Sequence, residues 1–222
     1  MTSAAQGRKR VAVFISGGGS NMLKLVEAAS DPAYPAEIVA VLSDKANAGG
    51  LARAEALGIP SLSFVRKDFE SKEAHESAIL AELERLSPDL ICLAGYMRLL
   101  SAGFIKRYEG RILNIHPSLL PLFPGLHTHQ RALDAGMKIA GCTVHFVTEG
   151  MDEGPIITQA AVPVLAGDTA DSVAERVLAV EHKSYPLALK LVAEGKVRMA
   201  GGKVIRDTPP AQPTSAALIS GG

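Results

Sequence analysis

The chain has 222 residues, 47% hydrophobic and 21% charged, a balance that suits a globular unit with a sizeable core and excludes an intrinsically disordered chain. With 23 basic and 23 acidic side chains and no block of like charge, it carries no electrostatic footprint for nucleic acid. Its two cysteines, Cys92 and Cys142, form no CxxC pair for zinc or redox chemistry and sit in apolar runs as buried thiols.

Met1 to Arg10 is basic without an apolar signal core, and Val11 to Ile15 is too short for a signal or a membrane span, so no membrane association and a cytoplasmic location are expected. Residues 1–9 read as a loose start. Val11 to Ile15, a continuous apolar run ended by Ser16-Gly17-Gly18-Gly19, fits a strand buried on both faces of a parallel sheet. Asn21 to Ala29 carries Met22, Leu25 and Val26 at helical spacing, stopped by Asp31-Pro32. Ile38 to Leu42 is a second strand, Leu51 to Leu57 a short helix closed by Gly58, and Ser61 to Val65 a weaker third strand. Asp68 to Leu86 is helical, with Ile79, Leu80, Leu83 and Leu86 on one face. Leu90 to Ala94 is the fourth strand, Ser101 to Tyr108 a short helix and Ile112 to His116 the fifth strand. The alternation predicts right-handed βαβ units and an α/β, Rossmann-like three-layer fold with a mainly parallel sheet.

Thr143 to Val147 and Pro155 to Val162 are separated only by Thr148 to Gly154. That gap is too short for a crossover helix and predicts an antiparallel strand pair added to the sheet. A helix begins at Asp168-Thr169 and runs to about Glu194, and Pro186 is expected to kink or break it. Val197 to Met199 and Lys203 to Ile205 predict a hairpin through Gly201-Gly202. Residues 1–207 make the domain on this reading, and the Pro-, Ala-, Ser- and Gly-rich residues 208–222 a disordered tail.

The glycine loop lies where strand meets helix, a place where backbone N–H groups receive an anion. Gly17-x-Gly19 fits the dinucleotide fingerprint, but Met22 stands where its third glycine belongs, and the Walker pattern is absent. Ser20 and Asn21 add a hydroxyl and an amide, which suits one terminal phosphate. The plain alternative is a glycine turn capped by Ser or Asn.

Asn114-Ile115-His116-Pro117 is the most informative segment. Residues i and i+2 of a strand share a face, so Asn114 and His116 project together while Leu113 and Ile115 face away. An amide donor beside an imidazole, at the carboxyl end of a parallel strand, suits an oxyanion and a moving proton. The alternative is a satisfied pair of core polar groups. Asp152, in the turn Thr148 to Gly154, could reach His116 and hold its imidazole; spacing alone does not show that contact. His116, His127 and His129 could supply three imidazoles, but no ligand spacing such as HExxH is present, so no metal is expected. His145, at mid-strand, and His75, on a charged helix, read as structural.

Ile15-Ser16-Gly17-Gly18-Gly19-Ser20-Asn21, Leu93-Ala94-Gly95-Tyr96-Met97-Arg98, Leu113-Asn114-Ile115-His116-Pro117-Ser118-Leu119-Leu120-Pro121 and Val144-His145-Phe146-Val147 together resemble the phosphoribosylglycinamide formyltransferases, within the folate-dependent formyltransferase superfamily. The likeness runs from about Val11 to Met199. It implies small-molecule substrates, 10-formyltetrahydrofolate as co-substrate and a glycinamide ribotide as acceptor, in a monomer or weak homodimer. It implies that Gly19, Ser20 and Asn21 hold the ribotide phosphate, and that Leu178, Ala179, Val180 and Glu181 contact the ribotide, Glu181 on its ribose. Lys72, Met97, Arg98, Leu99, Leu100, Asn114, Thr148, Glu149, Gly150, Met151 and Asp152 would border the folate. Asn114 and His116 would stabilise the oxyanion, His116 would donate the proton and Asp152 would tune His116, with no covalent enzyme intermediate. Gly18 stands where relatives often carry Asn. Lys72 stands where an Arg contacts the folate, and it keeps the charge without the planar fork.

Rival readings are available. A methionyl-tRNA formyltransferase would carry a further C-terminal nucleic-acid-binding domain, and a formyltetrahydrofolate hydrolase an N-terminal regulatory domain. A nicotinamide-dependent oxidoreductase would use Gly17-x-Gly19 with Asp44 after the second strand. A non-catalytic nucleotide-binding module would leave Asn114, His116 and Asp152 unused.

Overall fold

Strands buried on both faces divide their side chains between two layers, and this organises the molecule. A computed structural model describes residues 7–207. In chain order these form β1 (Lys9–Ile15), α1 (Ser20–Ala29), β2 (Ala36–Ser43), α2 (Gly49–Ala56), β3 (Ser61–Ser63), α3 (Lys72–Leu86), β4 (Leu90–Leu93), α4 (Ala102–Arg107) and β5 (Ile112–His116). There follow α5 (Thr128–Asp134), β6 (Ile139–Phe146), β7 (Ile156–Pro163), α6 (Ala170–Ala193), β8 (Val197–Ala200) and β9 (Lys203–Arg206). Val11, Val13 and Ile15 of β1 enter one apolar cluster with residues of α1, α2 and α6, while Ala12 and Phe14 enter another with α3 and α4. Fully burying a side chain such as Phe14 or Leu25 contributes about 1.5–3 kcal/mol.

The seven-stranded sheet has the order β3-β2-β1-β4-β5-β6-β7. Every pair from β3 to β5 is parallel, and β6 and β7 are added antiparallel, as the short link between them predicts. From β1 the chain winds outward through β2 and β3, then crosses to β4 on the other side. The loops after β1 and β4 therefore part at this switch point and open a crevice at the strand carboxyl ends. β8 and β9 form the expected terminal hairpin.

Several boundaries differ from expectation. The helix expected from Asp68 begins at Lys72, because Ser71 caps it by accepting the Ala74 N–H at 3.0 Å; Arg66–Asp68 is a separate 3-10 turn. α5, Thr128–Asp134, has no counterpart among the elements expected from the sequence. β6 begins at Ile139 instead of Thr143, since Gly141 lets the Ala160 carbonyl and the Leu119 side chain approach closely. Pro186 does not break α6. Tyr185, Ala188 and Leu189 around it are fully buried, and that packing outweighs the lost backbone bond. The expected tail, 208–222, lies outside the described residues.

Candidate active site

Two clefts meet at the carboxyl ends of β1, β4 and β5. The larger, about 560 Å³, is lined by Asn21 and Glu181 at one end, Asn114, His116 and Asp152 centrally, and Met97, Leu99, Leu126 and Met151 at the mouth. The second, about 370 Å³, runs from Lys72 past Arg98 to Leu100 and the whole turn Thr148 to Asp152, and shares Asn114 and Asp152 with the first. Of the eight exposed large apolar residues among the described residues, the four at this mouth line one cleft. Such a concentration marks an interaction site for a partly apolar ligand.

Sheet register assembles the centre. Asn114 on β5 lies directly opposite His145 on β6, so both side chains stand on one face. His145 Nδ1 donates to the Phe146 carbonyl at 2.9 Å, which leaves Nε2 to accept the Asn114 amide at 3.1 Å. Burial, more than any neighbour, pushes the His145 imidazole below its usual pKa and keeps it in this neutral form. The Asn114 amide is thereby held in one orientation.

His116 is buried, and both its ring nitrogens face oxygens. Nε2 donates to the Phe123 carbonyl at 3.0 Å, and Nδ1 lies 3.3 Å from Asp152 Oδ2. The same Asp152 oxygen accepts the Gly125 N–H at 2.8 Å, and Oδ1 sits 3.8 Å from His145 Nε2. The contact that spacing left open is therefore present in the geometry. The loop after β5 reaches both groups: Phe123 holds the imidazole and Gly125 the carboxylate. Arg131 of α5 braces that loop by donating to the Pro124 carbonyl at 2.5 Å. Phe123, His127 and Asp152 all have positive φ without being glycine. Each such backbone costs about 1–2 kcal/mol and recurs where a site dictates its own shape.

At the other end, Gly19 takes φ 73° as it turns the chain into α1. Gly50 of α2 packs beneath the loop, its N–H donating to the Gly17 carbonyl at 3.0 Å. Asn21 Nδ2 donates to Glu181 Oε2 at 2.7 Å, and burial raises the Glu181 carboxyl above its ordinary range against that bond.

The structure thus brings Asn21, Met97, Arg98, Leu99, Asn114, His116, Asp152 and Glu181 to one cleft, and Lys72, Leu100 and Thr148 to Met151 to its neighbour. It does not bring all of the 178–181 segment there. Successive helical positions point about 100° apart, so Glu181 faces the cleft while Val180 lines a groove beside β7 and Ala179 is exposed. Sequence reasoning missed His145; its period-2 relation to Thr143 was visible, but the register with β5 was not. Among the described residues no three His, Cys, Asp or Glu side chains converge as a metal-ligand set, and no helix is long and apolar enough to cross a membrane.

Comparison with known proteins places this geometry in a family. Residues 9–189 match the formyl transferase family. A phosphoribosylglycinamide formyltransferase of Escherichia coli (strain K12) is 45% identical over 189 residues, covering 85% of this chain and 89% of the other. The trifunctional purine biosynthetic protein adenosine-3 of Bos taurus is 50% identical over 86% of this chain, which spans only 19% of that protein's length. The crystal structure of a phosphoribosylglycinamide formyltransferase from Brucella melitensis superposes with a TM-score of 0.82 at 72% identity, over 87% of this chain and 100% of that one.

Proposed function

The chain belongs to the formyl transferase family, among its phosphoribosylglycinamide formyltransferases, and we propose that it transfers the formyl group of 10-formyltetrahydrofolate to the amine of a 5-phosphoribosyl glycinamide. The observation that carries this reading is the His116–Asp152–Asn114–His145 cluster where two clefts join, because a two-substrate transfer needs both reactants to meet at one centre.

The smaller cleft and the apolar mouth take the folate, with Lys72, Arg98 and the Thr148–Asp152 turn around it. The ribotide lies toward Asn21 and Glu181, its phosphate on the N–H groups of Gly19, Ser20 and Asn21. The amine attacks the formyl carbon and the carbonyl oxygen becomes an oxyanion, met by N–H donors of Asn114 and His116. The bond to the folate nitrogen then breaks; that nitrogen gains a proton through His116, and the attacking amine loses one. Asp152 holds the other side of the imidazole throughout. The Phe123 carbonyl, the other oxygen now facing the His116 ring, must yield to substrate during this cycle. No metal takes part in any step. We further infer a cytoplasmic monomer or weak homodimer whose domain ends near residue 207.

A steady-state assay with 10-formyltetrahydrofolate tests this. Product is expected with the glycinamide ribotide as acceptor and not with water or methionyl-tRNA; turnover with either of those alone would overturn the acceptor assignment.

A further inference from the structure

The reaction just described leaves a buried carboxylate unused. Asp44 follows β2, and its side chain is only 3% exposed. It accepts the Ser16 hydroxyl at 2.5 Å and Arg98 Nε at 2.7 Å. Ser16 Oγ in turn accepts the Met97 N–H at 2.8 Å, and the Ser16 N–H donates to the Gly95 carbonyl at 3.1 Å. Four hydrogen bonds therefore tie the end of β1, the end of β2 and the loop after β4 into one unit. Ser16 immediately precedes the glycine loop, and Gly95 to Leu100 forms one wall of both clefts.

Stability alone does not account for this charge. Burying a carboxylate costs several kcal/mol, and a neutral side chain of similar shape would fill the space at less cost. What the charge adds is direction. Arg98 is half-exposed and lines both clefts, and the bond at Nε anchors its guanidinium without occupying the terminal nitrogens.

We propose that Asp44 is a positioning residue for formyl transfer: it holds Arg98 and the Gly95–Leu100 wall in the donor-binding position and locks that wall to the root of the glycine loop. The proposal rests on the functional reading above. Asp44 touches no reacting atom; it acts through Arg98 and Ser16.

Asp44→Asn keeps the shape and removes the charge. Calorimetric titration with tetrahydrofolate is expected to give a dissociation constant raised roughly tenfold, the loss of one charge-assisted hydrogen bond. The KM for the formyl donor should rise by a similar factor, while kcat at saturation changes much less. In the Asp44→Asn background, Arg98→Gln should cost little more, since the two side chains act as a pair. A purely structural Asp44 would lower the melting temperature and leave tetrahydrofolate affinity alone; that result, or additive losses in the double variant, overturns the proposal. Should Asp44→Asn fail to fold, Ser16→Ala cuts the link to Met97 without disturbing the charge, and an unchanged tetrahydrofolate affinity there overturns it equally. Wild-type protein that does not bind tetrahydrofolate overturns the functional reading itself.

Discussion

β5 has a different kind of neighbour on each side. Toward β4 the sheet is parallel and reached through a helical crossover; toward β6 it is antiparallel and reached through a long loop and α5, with a tight turn only between β6 and β7. The parallel half contributes loops at strand ends, and these offer mainly backbone groups and walls: the glycine loop, Gly95 to Leu100 and the start of α1. The antiparallel flank contributes ionisable side chains, His145 from mid-strand and Asp152 from the turn. Asn114 and His116 sit on the strand shared by both. The comparison teaches a division of labour. The parallel half should govern substrate affinity, and the flank should govern the chemical step.

The sharpest way to break that division is at the shared strand. His116→Ala is expected to lower kcat by roughly a thousandfold, the range of a lost proton-transfer group, while ribotide binding by calorimetry stays near wild type. Turnover close to wild type would remove the centre from β5 altogether. In the parallel half, Ser20→Asp puts a carboxylate against the proposed phosphate. Like-charge apposition should raise the ribotide KM by roughly a hundredfold and leave the donor KM nearly unchanged; equal losses for both substrates would move the phosphate elsewhere.

Two glycines test the same contrast sterically. A Cβ on Gly154 would collide with the Phe146 carbonyl, the group that also orients His145, so Gly154→Ala must shift the turn that carries Asp152. A misplacement near an ångström costs kcat up to roughly a hundredfold, and roughly tenfold is expected here with both KM values little altered. A Cβ on Gly50 would press on Ile15 and on the backbone of Gly17 and Gly19. Gly50→Ala should therefore raise the ribotide KM and spare kcat. The reverse pattern in this pair of variants would dissolve the distinction between the two halves.

The two halves also differed in how readable they were. Strands β1, β2 and β4 announce themselves as continuous apolar runs because they are covered on both faces, and period 2 alone puts Asn114 beside His116 on β5. The flank was legible as a strand pair with Asp152 in its turn, but the part played by His145 was not. That His145 meets Asn114 depends on the register between β5 and β6, strands separated by a long loop and α5, and nothing local encodes it. α5 hid because Thr128 and Ala132 are its only buried residues, too few to make a period. The positive φ of Phe123, His127 and Asp152 comes from the loops they close, not from their residue types. Asp44 lay in plain sight, but its two partners arrive from the ends of two other strands, and only the folded sheet brings them together.

The smallest expected effect probes the flank through pH. His145→Gln leaves an amide oxygen to accept the Asn114 N–H but cannot take a proton. The rate should fall only about threefold, the worth of one imperfect neutral hydrogen bond. Stability should respond more distinctly. Burial, aided by His116 and opposed by the Phe146 carbonyl and Asp152, holds the folded imidazole below its ordinary pKa, whereas the unfolded chain titrates at about 6.5. As pH falls through that value the unfolded state takes up the proton first, so His145 makes the wild type lose stability on acidification, and the loss ends once pH drops below the folded value. His129 and His182 are shifted in the same direction by their own burial. Replacing His145 therefore removes one contribution of three and should make the melting temperature decline less steeply between about pH 7 and the folded pKa. Thermal melts across that range, with kcat measured alongside, decide the matter. A slope as steep as wild type together with an unchanged rate would mean that Asp152 alone carries the flank's share of the chemistry.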